Sequence, residues 1–410
     1  MNPALIVLFL SLLLGVQPIT TDLYLPALPV ITETFGAEMN QAQLTLSALL
    51  LAFGASQLVW GPLSDRYGRR PILLAGLAAY TLASVASAFS GSMTALIVWR
   101  VLQGAAMGAA VMCARALVRD LYSPEVGPRV MSKGLSGLGV IACLSAPVGS
   151  LIAEFLGWRP ALLTLALFGA AALALVALRF QETVSTPNPR ALQPAVLYRT
   201  WATILRHPAF RAFALLATVS YAGLFTFLVS SSFVFIKVLG LSKAAYGGVM
   251  LSTSIAYLSG TVLCRRLLVR IGLRRTVAVG GALSLVGGCL VGGIAAVGLH
   301  HPMAILLPFL IFMVGHGIHQ PCGQSGAVGP FPQAAGAASA LSGFMMMLAT
   351  FGMGAWLGRS MDGTVLPLTY GVWFWSGMIA FVAWVLVQRA VPAVGAPAAS
   401  RPVTESSGGG

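Results

Sequence analysis

Apolar runs of about 20 residues, set one after another and broken only by short polar stretches, leave this chain few ways to fold. They fall near 4–27, 42–61, 71–90, 94–116, 132–154, 159–179, 210–235, 244–264, 276–297, 303–326, 336–358 and 365–388. Charged residues make up 8% of the 410 and hydrophobic ones 58%, where an ordinary soluble domain is about 25% charged. With a mean hydropathy of +0.88, most of the chain must face lipid or other apolar helices. Inside a bilayer every backbone N–H and C=O needs a partner within the protein, which leaves helices and closed barrels. Barrel strands take only about 10 residues each, so these runs predict helices. The expected fold is an all-α integral membrane protein, with six transmembrane helices on each side of a polar stretch.

The break after the second run reads Gly61-Pro62-Leu63-Ser64-Asp65-Arg66-Tyr67-Gly68-Arg69-Arg70-Pro71, with four charges between long apolar segments. A degraded copy, Arg270-Ile271-Gly272-Leu273-Arg274-Arg275, lies in the second half. Gly68 and Gly272 are 204 residues apart, about half the chain length, as in a duplicated protein with a charged hinge in each half. On this reading 1–180 and 209–389 are two pseudo-symmetric six-helix bundles. Residues 181–208, with Thr186-Pro187-Asn188-Pro189-Arg190, are a solvated linker, and 390–410, rich in Pro, Ser and Gly, are a disordered tail. The second copy has lost its acid, because Val269 stands where Asp65 stands. A charge latch is therefore expected in the first half and a purely topological signal in the second.

Of the 24 Lys and Arg residues, Arg159, Lys237, Lys243 and Arg359 fall on one side of this layout and Arg100 inside a helix, while nineteen share the side of Arg66 and the linker. So uneven a distribution predicts a multi-pass protein of a bacterial inner membrane with both termini cytoplasmic. It also accounts for the net charge of +14 through topology and anionic lipid, with no need for nucleic acid. The first run has no basic residue before it and no clear small-residue cleavage site, so it is expected to stay as a helix. Cys113, Cys143, Cys264, Cys289 and Cys322 show no paired spacing, which supports neither a disulfide framework nor a metal site.

Polar residues inside the apolar runs are the candidates for function. Asp22 follows Gln17, Pro18, Thr20 and Thr21, a polar and kinked stretch. A carboxylate at membrane depth costs about 2.5–3.5 kcal/mol on insertion scales, so Asp22 should face a cavity, and burial should let it exchange a proton near neutrality. The plain alternative is a cap at a helix end near the membrane surface. Arg100 stays ionised and must meet a carboxylate, water, carbonyls or substrate. Gln103 shares its face and Gly104 with Gly108 allows close helix approach; alternatively Arg100 snorkels to the surface. Pro147, with Gly134, Gly137, Gly139 and Gly149, makes the fifth helix kinked and thin-walled, or simply a packing face. His316 and His319, with Gln320 and Gln324, read either as cavity hydrogen-bonders or as packed neutral histidines. Arg115 lies within about 60° of the Arg100 face at 100° per residue. It either reaches an inner cavity, favouring substrates with electronegative groups, or anchors at the surface with Arg119. Met345-Met346-Met347 and Phe225, Phe227, Phe233 and Phe235 read as an adaptable pocket or as lipid-facing core. No convergent nucleophile, base or metal-ligand set suggests an enzyme, and no cofactor is expected.

Gly61 to Pro71 resembles the signature loop between the second and third helices of the major facilitator superfamily. Arg100-Val101-Leu102-Gln103-Gly104 resembles the fourth-helix motif of its drug:proton antiporters. Pro147 with Gly139 resembles their fifth-helix motif, although Ala146 and Ser150 stand where that motif usually has glycine. Thr21-Asp22-Leu23-Tyr24-Leu25-Pro26-Ala27-Leu28-Pro29, Val118-Arg119-Asp120-Leu121-Tyr122 and Ala335-Gly336-Ala337-Ala338-Ser339-Ala340-Leu341 are similar to the Bcr/CflA drug-resistance subfamily.

The resemblance implies a carrier working by alternating access. Gly61, Asp65, Arg66, Gly68, Arg69 and Arg70, with Arg119, Asp120, Gly139 and Pro147, would gate it. Asp22 and Arg100 would couple protons, and Thr21, Tyr24, Gln103, Arg115, His316 and His319 would line the substrate cavity. Some relatives carry a second acid eight residues before the one matching Asp22. Leu14 stands there in this chain, pointing to neutral or zwitterionic amphipathic compounds, with phenicol-like and bicyclic antibiotics the nearest classes. The expected partners are a proton, a small-molecule substrate and the lipid bilayer, with the chain acting as a monomer. A proton-driven uptake symporter and a non-transporting membrane sensor remain the alternatives.

Overall fold

The computed structural model describes residues 2–122, 127–184, 192–299 and 301–390, apart from the side chains of Met39, Arg119, Gly127, Pro128, Arg129, Ser132 and Gln333. The expected tail and the centre of the expected linker lie outside the described residues. Among the described residues all regular structure is helical, and eleven helices are long and apolar enough to cross a membrane.

Helix α1 (Pro3–Asp22) starts on Asn2, whose side chain accepts the Ala4 N–H at 3.0 Å, with Pro3 where a missing N–H costs nothing. Beyond Asp22 the helix loosens through a short 3-10 turn at Leu25–Ala27, then resumes as α2 (Leu28–Phe35). Pro26 and Pro29 lack the N–H groups that an unbroken helix would use here. The first crossing is therefore Pro3–Phe35, longer than 4–27, and it breaks immediately after Asp22.

The first half continues with α3 (Met39–Tyr67), α4 (Arg69–Ala88), α5 (Met93–Leu121), α6 (Gly127–Phe155) and α7 (Trp158–Arg179). The signature stretch differs from the expected loop. Gly61 to Tyr67 stays helical with Pro62 inside it, and the chain turns at Gly68 alone, at φ 97° and ψ 160°. A side chain is strained there, so glycine makes this hinge.

The expected linker holds a helix, α8 (Pro194–Arg206), which buries Ile204 and packs on the helices that follow. These are α9 (Pro208–Ser232), α10 (Lys243–Ala296), α11 (Pro302–Val328), α12 (Ala335–Ser360), α13 (Leu366–Phe381) and the short α14 (Val387–Ala390). Helix α10 has 54 residues, and at about 1.5 Å per residue it is long enough to span a bilayer core twice. It breaks at Gly272, at φ 75° and ψ 175°, the position matching Gly68.

Within the first half α1 packs on α5 and α6, and α5 also packs on α3 and α4. Within the second, α9 packs on α11, α12 and α13, and α10 on α11 and α13. Helix α3 meets α12 and α6 meets α10 across the halves. Close approach occurs at Gly104 and Gly108, as expected, and not at Gly61. A Cβ at Gly61 would sit 3.5 Å from Met112, an ordinary contact, whereas one at Gly104 or Gly108 would overlap Leu49 or Ser56 of α3. Gly139 likewise has room, with Leu258 at 3.6 Å. Helix α6 presses on the first crossing through Gly134, Gly137 and Gly149 instead. On its outer side Val140, Leu144, Val148, Leu151 and Phe155 are 40–77% exposed. An apolar stripe at helical spacing is costly in water and at home in lipid, so the chain is a multi-pass membrane protein.

Candidate functional site

The end of α1 meets the second half across a polar gap. Asp22 is half-buried, and its carboxylate accepts the Thr21 hydroxyl at 2.8 Å. It lies within electrostatic reach of Cys143 on α6, Tyr221 on α9 and Tyr246 on α10. Earlier on α1, the Gln17 amide donates to the Tyr221 hydroxyl at 3.5 Å, crossing between the halves. His316 lies behind Tyr221 and Tyr257, with ring centroids 6.4 and 5.6 Å away, and its Nδ1 shares a 2.8 Å hydrogen bond with the Ser220 hydroxyl. No helix N–H is among the described contacts of Asp22, so nothing supports a capping role. A carboxyl, phenols, an amide and an imidazole between apolar helices can hold a proton and hydrogen-bond an amphipathic solute.

Arg100 occupies a separate nest on the other side of α1. It is fully buried, which excludes snorkelling. One arm donates to Gln103 Oε1 at 2.6 Å and another to the Thr20 carbonyl at 3.1 Å, while the guanidinium carbon stands 4.2 Å from the Tyr24 ring centroid. Gln103 donates in turn to Ser84 at 2.6 Å, and Tyr24 donates to Thr45 at 2.9 Å. Tyr24 and Gln103, expected at the substrate cavity, are fully buried in the first half and support Arg100. Residues 20 and 22 point about 200° apart on a helix, so α1 screens Arg100 from Asp22. His319 is also placed away from the gap, its ring fitted against Gly280 of α10.

The Gly68 hinge carries a polar lock. Arg69, 3% exposed, is held by Asp65 at 2.7 Å and by Asp120 of α5 at 2.9 Å, and donates to Ser64 at 2.5 Å. Glu182, just past α7, accepts the N–H groups of Arg69 and Arg70 at 2.9 and 3.0 Å, and those of Thr183 and Val184 at 2.9 and 3.0 Å. Burial pushes the Glu182 carboxyl up, but the N–H groups of Val184, Arg69, Arg70 and Thr183 outweigh it and hold it below the usual glutamate range. Thr183 also donates to Asp120 at 3.2 Å. Arg66 lies over the Tyr67 ring and Arg70 reaches the Ala177 carbonyl at 3.0 Å. The Arg119 side chain lies outside the described residues.

Between the halves, Arg115 of α5 donates to Ser339 of α12 at 2.8 Å, and Pro147 and Ser150 of α6 pack against Gly247 of α10. At the end opposite the Gly68 hinge, Lys243 donates to the Ala153 carbonyl at 3.1 Å and Glu154 accepts the Ala244 N–H at 3.2 Å, while Glu33 pairs with Lys237.

Sequence reasoning missed Glu182, Tyr221, Tyr257 and the pair Cys264 and Cys322, whose free sulfurs lie 3.6 Å apart. A lone acid in a polar linker and tyrosines in apolar helices carry no local signal; an acid following a basic helix end was the available cue for Glu182.

The sequence matches the Major Facilitator Superfamily over residues 10–354. It is 29% identical to multidrug resistance protein D of Escherichia coli K12, covering 82% of this chain and 84% of that protein. It is 28% identical to a bicyclomycin resistance protein homolog of Haemophilus influenzae, covering 89% and 91%. It is also 28% identical to a chloramphenicol resistance protein of Pseudomonas aeruginosa, covering 78% and 75%. These are relatives of the kind that the Bcr/CflA resemblance implies. Among solved structures, the xylose transporter XylE of E. coli in a partially occluded inward-open conformation superimposes with a TM-score of 0.74 over 96% of this chain and all of that one, at 14% identity, a likeness of fold alone. With its helical fold, its hinge lock and a match over most of its length, the chain belongs to the Major Facilitator Superfamily.

Proposed function

We propose that this protein is a proton-coupled antiporter that exports small amphipathic drugs, phenicol-like or bicyclic antibiotics among them. Two six-helix bundles, 1–180 and 209–389, form its twelve transmembrane helices and alternate access to a site between them, in a bacterial inner membrane with both termini cytoplasmic. The observation that carries the reading is the half-buried Asp22 at the broken end of α1, facing Tyr221 and Tyr246 of the other half. When the gap narrows, an ionised Asp22 must leave water, at a cost of about 2.5–3.5 kcal/mol on insertion scales. That corresponds to roughly a hundredfold change in a two-state equilibrium. A protonated Asp22 escapes most of this cost, so proton binding favours the closed gap and proton release the open one. The substrate occupies the same gap and competes for the same state. The resistance names of three relatives support drugs as the cargo.

The test is a drug-susceptibility panel in an efflux-deficient host together with counterflow in proteoliposomes. Asp22→Asn is expected to lose proton-coupled export, with resistance falling to the level of the empty host. An Asp22→Asn protein exchanging protons and drug at the parental rate would sink the mechanism. Accumulation of substrate down an imposed inward proton gradient would establish uptake instead.

A further inference from the structure

Arg115 belongs neither to the Asp22 gap nor to the Arg69 lock. Its guanidinium carries five N–H donors, yet among the described residues its one polar partner is the Ser339 hydroxyl, 2.8 Å away across the α5–α12 seam. Arg69 and Arg100 are buried, the first held by two carboxylates and the second by an amide, a carbonyl and an aromatic ring with its Nε left over, whereas Arg115 is half-buried. Nearby, where α12 packs on α3, two buried polar atoms lack partners among the described residues. Gln57 Oε1, on a side chain 2% exposed, lies beside Gly343, and the Ser342 hydroxyl, on a residue 3% exposed, lies one turn along α12 from Ser339. Gly336, Ala337, Ala338 and Ala340 keep α12 thin at this level. An arginine stays ionised in such a place, and its planar fork suits a planar group with two acceptor oxygens.

We propose that Arg115 is the anchor for a nitro or carboxylate group of the transported molecule, which displaces Ser339 and binds the guanidinium through both oxygens. The Ser342 hydroxyl and the Gln57 amide complete the polar side of the site. Because Arg115 belongs to the first half and Ser339 to the second, filling the site removes a contact between the halves and loosens the seam. This assignment rests on the drug-transport reading above and adds the chemistry that the cargo presents.

The test uses the purified full-length protein and two probes, chloramphenicol, which carries a nitroaryl group, and its reduced aryl-amine counterpart, with binding followed by calorimetry. The parent is expected to bind the nitro compound about tenfold more tightly than the amine, as a bidentate charge-assisted contact requires. Arg115→Gln should bring the nitro compound down to the affinity of the amine, Arg115→Lys should leave a partial preference, and Ser339→Ala should keep the full preference. A parent that fails to discriminate, or an Arg115→Gln protein that weakens both probes equally, overturns the assignment. Should Arg115→Gln fail to fold, an undiminished preference in Arg115→Lys overturns it as well. Proton coupling at Asp22 is read separately, from the pH dependence of flux, so failure here leaves that mechanism standing.

Discussion

The two hinges share a backbone break and two matching arginines, Arg66 with Arg270 and Arg70 with Arg274, and differ in the lock around them. Gly68 and Gly272 both break a helix with one residue at positive φ. Around Gly68 the side chains of Asp65, Arg69, Asp120 and Glu182 form a connected set of charge-assisted bonds. Around Gly272 the matching positions are Val269, which is 89% exposed, and Leu273. Polar contacts described there are the Thr276 hydroxyl to the Gly272 carbonyl at 2.7 Å, the Arg274 side chain to Gln388 at 3.0 Å and Gln388 back to the Arg274 carbonyl at 3.0 Å. A Cβ at Gly68 would meet the Glu182 carboxylate, whereas one at Gly272 would meet nothing. The lesson is that the backbone break is what both halves need to reverse direction in a short space, and the charge lock is an addition to one of them.

Replacing Arg69 by leucine, the residue at 273, breaks this contrast most severely. It takes the Arg69 guanidinium away from Asp65 and from Asp120, whose side chain is 13% exposed; removing one member of a buried pair costs about 3–5 kcal/mol, and the partial exposure of Asp65 places the effect near the lower end. Thermal unfolding in detergent, with transport assayed in parallel, checks this. A loss no larger than that of Leu273→Ala removes the claim of a one-sided lock.

The glycines come next. Gly68→Ala and Gly272→Ala each force a side chain into a positive-φ conformation, for about 1–3 kcal/mol, and Gly68→Ala must also displace Glu182. Gly68→Ala should therefore be the more damaging in unfolding midpoint and in transport, and equal losses would show that Glu182 yields freely.

Glu182→Gln should have the smallest effect, no more than about 1 kcal/mol, typical of a lost helix cap. Its signature is pH. The carboxyl is held below its unfolded value, so its stabilisation is present above the ordinary glutamate value of 4.5 and is lost as pH falls through the lower folded value. The parent should lose this increment on acidification below that point, and Glu182→Gln should not. Identical acid profiles for the two would remove Glu182 from the lock.

Much of this was legible from residue order. Lipid-length apolar runs force helices, a 204-residue repeat forces two hinges, and an acid at membrane depth must find a polar gap. The rest depended on what three dimensions bring together. Gly61 to Tyr67 read as loop because charges and Pro62 usually end helices, but α3 carries its charges past the apolar layer and turns only at Gly68. Tyr24 and Gln103 are expected at the cavity from the family resemblance. Their bonds to buried Arg100 carried no local signal, since a buried cation gathers its neighbours' acceptors and π-faces only once the helices pack. Glu182 and Tyr221 act through contacts more than 100 residues away in sequence, as in the Glu182 bond to Arg70 over 112 positions, and no local pattern marks them.

At the far end of the molecule, α6 and α10 exchange favours. The Lys243 amine sits on a carbonyl that the end of α6 leaves open, and the Glu154 carboxylate sits on an N–H that the start of α10 leaves open. Each helix end thus borrows one capping bond from the other half, and water can supply the same bonds as soon as the two separate. Such a contact holds weakly but fits in only one alignment. It works as a docking key that sets where the halves meet again, and leaves the strength of their closure to other parts of the fold.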